Sequence, residues 1–311
     1  MIKRAITTFK QFFLVSLLFF ISLPSNAPIV SAQTLPQVTV TTSFLEDIVK
    51  QIAANTVDIS LIIPAGGDPH TYNASAKDLP KILEADLLLY HGLNFEAQMA
   101  TALADYGYSV TDNFSQSDLI FLAEDSNEVD PHYWFDLDLY RQSVLAVRDH
   151  LITSNPKQTE LYTTNTEHYL ERLAELAQWI NHELESLPVE QRILITPHDA
   201  FAYFARLHQF TVYAPQGIST EAEVSNEQIV QTVNYIVDHQ VPAIFLDSTT
   251  NPQAMQKLQE GVQQRGSQVE VIGMDSSVLY SDSLATSGQA NDNYIDMYKH
   301  NVSLIVEHLR K

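Results

Sequence analysis

Residues 157–187 contain neither glycine nor proline, and this segment constrains the fold more than any other part of the sequence. Apolar residues recur within it near the spacing of one helix face. A continuous helix of about thirty residues would be about 45 Å long, whereas helices in compact domains average about 11–12 residues. The segment therefore predicts one long helix that links two parts of the molecule. The alternative is two helices with a break near Thr164 and Asn165.

On both sides of this segment, short apolar runs alternate with stretches of helical spacing. The predicted strands lie at residues 38–41, 57–63, 87–90, 119–122, 193–195, 211–213, 243–246 and 269–272. The other predicted helices lie at residues 44–53, 74–84, 95–105, 200–207, 227–239, 253–265 and 293–309. Strand–helix alternation predicts an α/β fold, and wholly apolar strands are typical of parallel sheets buried on both faces.

We therefore expect an α/β fold with two Rossmann-like lobes, each with a mostly parallel sheet, bridged by one long rigid α-helix. The N-terminal lobe is expected at residues 33–155, the linking helix at 156–188 and the C-terminal lobe at 189–311. Ligand sites between lobes of this kind form at the carboxyl ends of the strands.

The first 32 residues are typical of a cleaved secretory signal peptide. Three positive residues precede an apolar run at 12–23, which is too short to span a bilayer comfortably, and small residues follow at 30–32. The alternative is an uncleaved membrane anchor. The sequence contains no cysteine, so we expect neither disulfides nor the lipid attachment of bacterial lipoproteins. A soluble periplasmic protein is the expected class.

The formal net charge is −21 at pH 7. Such an acidic chain is a poor nucleic-acid binder, because phosphate contacts need a basic surface. It attracts cations over long range, although acidity also serves solubility in many secreted proteins.

The tripeptide Asp-Pro-His occurs twice, ending at His70 and at His132, and each copy follows an apolar run. His198 follows a third such run, in the sequence Pro-His-Asp. A histidine on a loop after a strand, beside a rigid proline and an aspartate that can orient its ring, is well placed to hold a metal. Three imidazoles at strand ends predict a divalent-metal site, and without cysteine any further ligand must be His, Asp or Glu.

Further motifs occur in order along the chain, at residues 67–72, 84–87 with 92–96, 130–134, 198–204, 216–219 with Glu223, and 274–276. Together they resemble the cluster 9 metal-binding substrate-binding proteins, the zinc- and manganese-binding receptors of ABC importers. The resemblance covers nearly all of the chain after residue 32. It implies two α/β lobes bridged by one long helix, with the metal buried in the cleft between them.

By this resemblance, the metal ligands fall on His70 and His132 from the N-terminal lobe and on His198 and Asp275 from the C-terminal lobe. The residues alone do not favour Asp275 over Asp247 or Asp282, since all three lie near expected strand ends or loops.

The choice of metal rests on the donor set. Manganese-type members often carry Glu where this chain has His198, and three imidazoles with one carboxylate suit zinc better. Some His-containing members are nevertheless associated with both metals, and the His- and Asp-rich loop of many zinc-type members is missing here. His91, where the family commonly has Asn, indicates a local change in hydrogen bonding. We favour Zn²⁺, with Mn²⁺ as the alternative.

The resemblance implies a monomeric periplasmic receptor, not an enzyme, that captures a divalent metal and delivers it to an ABC permease in the inner membrane. Two other classes stay open. A secreted zinc-dependent hydrolase would use the same histidines but needs an open coordination position and a general base. A cell-adhesion protein is a description that relatives sometimes carry, although the sequence offers no separate adhesion module.

Overall fold

The structure is a computed structural model that describes residues 34–123, 126–275 and 277–310. The predicted signal peptide lies outside the described residues. The described residues from Leu35 onward form one compact unit. Within the described ranges, no helix combines the length and the apolar character needed to cross a membrane.

The secondary structure alternates strands and helices along both halves of the chain. The strands are β1 Gln37–Val40, β2 Asp58–Leu61, β3 Leu87–Tyr90, β4 Tyr108–Ser109, β5 Ile193–Ile195, β6 Thr211–Tyr213, β7 Ala243–Phe245 and β8 Glu270–Ile272. The α-helices are α1 Ser43–Ala53, α2 Leu79–Leu83, α3 Ala100–Tyr106, α4 Leu137–Ser154, α5 Thr159–Glu185, α6 Ala202–His208, α7 Asn226–His239, α8 Gln253–Gln264 and α9 Tyr294–Leu309.

All of the strand pairs are parallel within the described residues. Strands β2, β1, β3 and β4 form a four-stranded sheet in that order. Its register pairs Val38 with Ile59 on one side and with Leu87 on the other. In the second half, β5 pairs with β6 and β7 pairs with β8, and β5 packs beside β7. The predicted α/β fold with mostly parallel sheets is confirmed.

The long helix α5 is continuous over 27 residues, which corresponds to about 40 Å. It packs against α1 and α4 from the first half and against α9 from the second. Near the break considered above, the side-chain amide of Asn165 donates to the carbonyl of Ile52 at 2.8 Å and anchors the helix to the end of α1. The division into lobes at residues 155/156 and 188/189 stays a prediction.

Two predicted elements are wrong, and one helix escaped prediction. The expected strand at 119–122 forms only an isolated bridge between Phe121 and Val129. The expected helix at 74–84 is reduced to α2, because the Asp78 carboxylate accepts hydrogen bonds from the backbone and hydroxyl of Ser75 and forms a turn instead. Helix α4, which was not predicted, begins where the Asp136 carboxylate caps its first turn.

A buried carboxylate joins three helices around α5. Asp47 of α1 is 5 % exposed. It accepts hydrogen bonds from the Tyr169 hydroxyl of α5 at 3.2 Å and from the Tyr294 backbone amide of α9 at 3.0 Å. The Tyr294 ring also stacks on Tyr140 of α4, with 3.6 Å between centroids. Burial raises the pKa of Asp47, and these hydrogen bonds oppose that shift.

We expect Asp47→Ala to lower the free energy of unfolding by about 1–3 kcal/mol, because it leaves the buried Tyr294 amide without an acceptor. Urea denaturation of the metal-free protein measures the change. Gln51→Ala is the matched control: it removes the other donor to Asp47 while keeping the carboxylate, and it should cost less than about 0.5 kcal/mol. Equal losses in the two variants would contradict this role of Asp47.

Candidate metal centre

Two of the histidines lie on loops that an aspartate two residues earlier holds in place. The Asp68 carboxylate accepts from the backbone amide of His70 at 2.9 Å. The Asp130 carboxylate accepts from the backbone amide of His132 at 2.9 Å and from its ring Nδ1 at 2.7 Å. The repeated Asp-Pro-His sequence thus builds the same turn twice, and in the second copy the aspartate also orients the imidazole.

The third histidine comes from the second half of the chain. His198 follows β5, and its ring Nδ1 donates to the Asp247 carboxylate at 2.9 Å. An ionised carboxylate only accepts hydrogen bonds, so in both His132 and His198 the proton of the neutral ring lies on Nδ1. The Nε2 atoms then carry free lone pairs, which is the arrangement that a metal-binding histidine requires.

His70, His132, His198 and Asp282 bring four ligand atoms together, all within 4.8 Å of one another. His70 is 3 % exposed and the other three are fully buried. The Nε2 atoms of His70 and His132 lie 3.3 Å apart. Asp282 lies between the rings: Oδ1 is 3.3 Å from His132 Nε2, and Oδ2 is 3.1 Å from His198 Nε2 and 3.6 Å from His70 Nε2.

These separations fit four donor atoms around one central metal ion better than they fit direct hydrogen bonds. Neither oxygen of Asp282 nor Nε2 of His198 has a hydrogen-bond partner among the described residues. Four ligands at about 2.0–2.1 Å from a tetrahedral metal lie about 3.3–3.4 Å from one another. The four separations given above, 3.1–3.6 Å, bracket that value, and all four ligand atoms lie within 4.8 Å of one another. The cluster therefore has the size and the orphaned lone pairs of a tetrahedral metal site.

The structure brings Asp282, and not the predicted Asp275, beside the three histidines. Asp275 is exposed in the turn that follows β8, where its carboxylate accepts from the backbone amide of Ser277 at 3.1 Å. The neighbouring Met274 is 62 % exposed. The turn leads the chain outward, and only after it returns beside β7, through the bridge between Asp247 and Leu279, does a carboxylate reach the histidines.

Asp282 is among the alternatives that the sequence leaves open, but its sequence signal is weak. Asp282 lies between two serines and just before Leu284, all of them buried. Small hydroxyl residues around a carboxylate, next to an apolar residue, favour a buried and hydrogen-bonded segment over a solvated turn. The orienting role of Asp247 was not foreseen.

The segment around Asp282 is held by residues from the first half of the chain. The Trp134 indole, two residues after His132, donates to the carbonyl of Ser281 at 2.9 Å. The hydroxyl of Ser283 accepts from the backbone amide of Gly66 at 2.7 Å. Ser43, at the start of α1, accepts from the backbone amide of Leu284 at 2.9 Å. The carboxylate is thereby fixed by contacts to both histidine loops of the first half.

The charges of the cluster call for a cation. Burial would lower the pKa of His132, but the Asp130 and Asp282 carboxylates outweigh it and raise the pKa to about 9. Burial is likewise outweighed at His198, whose pKa Asp282 and Asp247 raise well above its usual value. No Lys or Arg within the described ranges pairs with these three carboxylates. A divalent cation would supply the positive charge that protons otherwise bring.

His70 lies on the apolar side of the cluster. Burial lowers its pKa to about 4 despite the nearby Asp282, so its ring is neutral and ready to coordinate. Phe95 contacts it edge-on, with 5.0 Å between ring centroids. The unusual His91 is buried behind this wall, where its Nε2 lies 2.7 Å from the Thr42 hydroxyl and its Nδ1 lies 3.0 Å from the Tyr133 hydroxyl. His91 therefore supports Tyr133, the residue after His132, and does not belong to the four-residue cluster.

Comparison with known proteins gives consistent matches over almost the whole described chain. Residues 38–308 match the family described as zinc-uptake complex component A, periplasmic (ZnuA). The zinc-binding protein TroA of Treponema pallidum is 34 % identical over 286 residues, which is 90 % of this chain and 91 % of TroA. The manganese-binding lipoprotein MntA of Bacillus subtilis is 30 % identical over 285 residues, covering 90 % of this chain and 92 % of MntA.

Solved structures give the same result. A TroA structure described in terms of its metal-binding specificity superposes with a TM-score of 0.87 at 49 % identity, over 89 % of this chain and all of that one. The chain belongs to the ZnuA family, the cluster 9 metal-binding substrate-binding proteins.

Proposed function

We propose that this protein is a receptor that captures one divalent transition metal ion with His70, His132, His198 and Asp282 and delivers it to an ABC importer permease. The observation that carries the proposal is the convergence of four buried ligand atoms within 4.8 Å. The ion is cargo, so the site must close around it and later release it.

Zinc is the favoured cargo. Three imidazoles and one carboxylate form a donor set that suits zinc, whereas manganese prefers more oxygen. The spacing of the donors also supports a tetrahedral ion with short bonds. Both oxygens of Asp282 face the cluster, which leaves room for a fifth bond to a larger ion. Manganese is therefore the alternative, in keeping with the relative MntA, which is named for that metal.

A receptor is favoured over a hydrolase by the coordination sphere. Catalytic zinc sites keep a position for water or substrate, whereas closed sites with four protein ligands hold or carry the metal. Here four protein ligands converge and are at most 3 % exposed. No observation favours an adhesive role.

The family description and the sequence together support a periplasmic place of action. The matched family is described as periplasmic, and the relative MntA is described as a lipoprotein. We propose a monomeric protein of the periplasm, exported by its signal peptide. The absence of a lipid anchor, expected because the sequence has no cysteine, stays a prediction.

The test is native mass spectrometry combined with elemental analysis of the protein purified from periplasm. We expect one zinc ion per chain, retained at neutral pH and removed by a strong chelator. A metal-free protein that also fails to take up added zinc or manganese would contradict metal capture. Two or more tightly held ions would contradict the single site, and one manganese ion would overturn the choice of metal.

A further inference from the structure

A cavity of about 520 Å³ leads from the surface to one edge of the four-residue cluster of His70, His132, His198 and Asp282. We call it the vestibule, and define it by His70, Asn94, Glu128, Pro131, Ser219 and Glu221, which are among its lining residues. His70 is the one member of the four-residue cluster that lines it, and it is also the one with residual exposure, at 3 %. Among the described cavities, this one reaches a side chain of the cluster directly.

Two exposed carboxylates, Glu128 and Glu221, line the vestibule, one from each half of the chain. The side-chain amide of Gln98 donates to Glu221 at 3.3 Å across the gap between the halves. This contact keeps the Glu221 carboxylate at the opening. No Lys or Arg is among the residues that line the vestibule within the described part of the chain.

We propose that the vestibule is the route by which the metal ion reaches the cluster, that Glu128 and Glu221 set the rate of capture, and that His70 is the first ligand the ion meets. This inference rests on the proposed function. Carboxylates in a narrow opening focus the field of an acidic protein and raise the local concentration of a cation. Neither side chain belongs to the cluster, so each acts on passage and not on the final bonds.

A second cavity provides a matched control. It measures about 390 Å³, is lined by Asp68, Thr220 and Glu223 among others, and contains none of the four cluster residues. Glu223 and Glu221 lie two positions apart in the same loop, both exposed and with the same charge. Glu221→Gln and Glu223→Gln therefore change the overall charge equally but act on different cavities.

The experiment is stopped-flow measurement of zinc binding to the metal-free full chain at low ionic strength, with dissociation measured by chelator competition. We expect Glu221→Gln and Glu128→Gln each to lower the association rate about threefold, and the double variant about tenfold. Glu223→Gln should stay close to wild type. Added salt should narrow the differences, because it screens exposed charges.

The dissociation rate distinguishes passage from coordination. An ion that leaves by the same route is slowed to the same degree, so association and dissociation should fall together and the equilibrium affinity should change less than about twofold. Asn127 also lines the vestibule and is exposed. Asn127→Asp therefore adds a carboxylate to the lining and should raise the association rate, a gain that misfolding could not produce. Each variant should still bind one zinc per chain.

Equal association rates in Glu221→Gln and Glu223→Gln would overturn the proposal. A larger loss in Glu223→Gln would move the route to the second cavity, and a fall in equilibrium affinity matched by faster dissociation would make Glu221 a ligand instead. All three results require a protein that binds zinc. Failure of the proposed function would instead be seen as absence of zinc binding in the wild type.

Discussion

Replacing Asp282 with alanine is expected to lower the zinc affinity of the protein at least about 100-fold. Loss of groups that only orient metal ligands costs about 10–100-fold, and Asp282 is the proposed anionic donor itself, with both oxygens within 3.1–3.6 Å of the histidine Nε2 atoms. The change also leaves His132 and His198 without the carboxylate that faces their Nε2 atoms. Competition with a chromogenic chelator at neutral pH measures the affinity.

Asp275→Ala is the control, since the family resemblance alone pointed to Asp275. The exposed carboxylate of Asp275 accepts only a local hydrogen bond. The zinc affinity of the Asp275→Ala variant should therefore match that of the wild type. Thermal unfolding with and without zinc gives an independent readout: zinc should raise the Tm of the wild type and of Asp275→Ala, but hardly that of Asp282→Ala. The reverse pattern would return the fourth ligand to Asp275.

A paired substitution, His198→Glu with Asp247→Asn, is expected to shift the preference from zinc toward manganese by at least about tenfold. A carboxylate at this position supplies the hard oxygen that manganese prefers. The single change would bury the new carboxylate against Asp247, which is 5 % exposed and now accepts from His198 Nδ1. Asparagine at 247 replaces that repulsion with a donor, and its remaining oxygen can still accept from the amides of Thr249 and Thr250.

Isothermal titration with each metal, for both single variants and the pair, separates the contributions. His198→Glu alone should bind both metals weakly, and Asp247→Asn alone should lose about 10–100-fold in zinc affinity, because the ring of His198 loses its orienting partner. An unchanged ratio of manganese to zinc affinity in the pair would show that the residue at position 198 does not set the selectivity of this chain.

The histidines could be predicted from the sequence because each one follows an apolar strand-like run within a short rigid motif. Asp-Pro-His confines the backbone, and the carboxyl ends of parallel strands point to a common region. The fourth residue of the cluster, Asp282, has no such local motif. Asp282 reaches the cluster through contacts of the neighbouring Ser281 and Ser283 with Trp134 and Gly66, and contacts so distant in sequence are absent from any local pattern.

The same distinction holds for the fold. The unbroken pattern of α5 predicts a helix because periodicity accumulates over its length. Helix α2 is shorter than predicted because a single Ser75–Asp78 turn replaces its first residues. The run at 119–122 has strand composition, but among the described residues it pairs only through one bridge. Propensity describes what a segment can form, whereas pairing partners decide whether it does.

The contacts that hold the segment around Asp282 and helix α9 join residues far apart in the sequence, so they affect the order in which the parts of the protein fold. Ser43 and Ser283 contact each other across 240 positions, and Asp47 meets Tyr294 across 247. Contacts of such separation close late, since the intervening chain must be ordered first. A chain that crosses a membrane N-terminus first would present its three histidines well before the carboxylate arrives. Until the segment around Asp282 has emerged and docked, the three histidines would lack their carboxylate neighbour, so a metal ion that met them early would find a different set of donors.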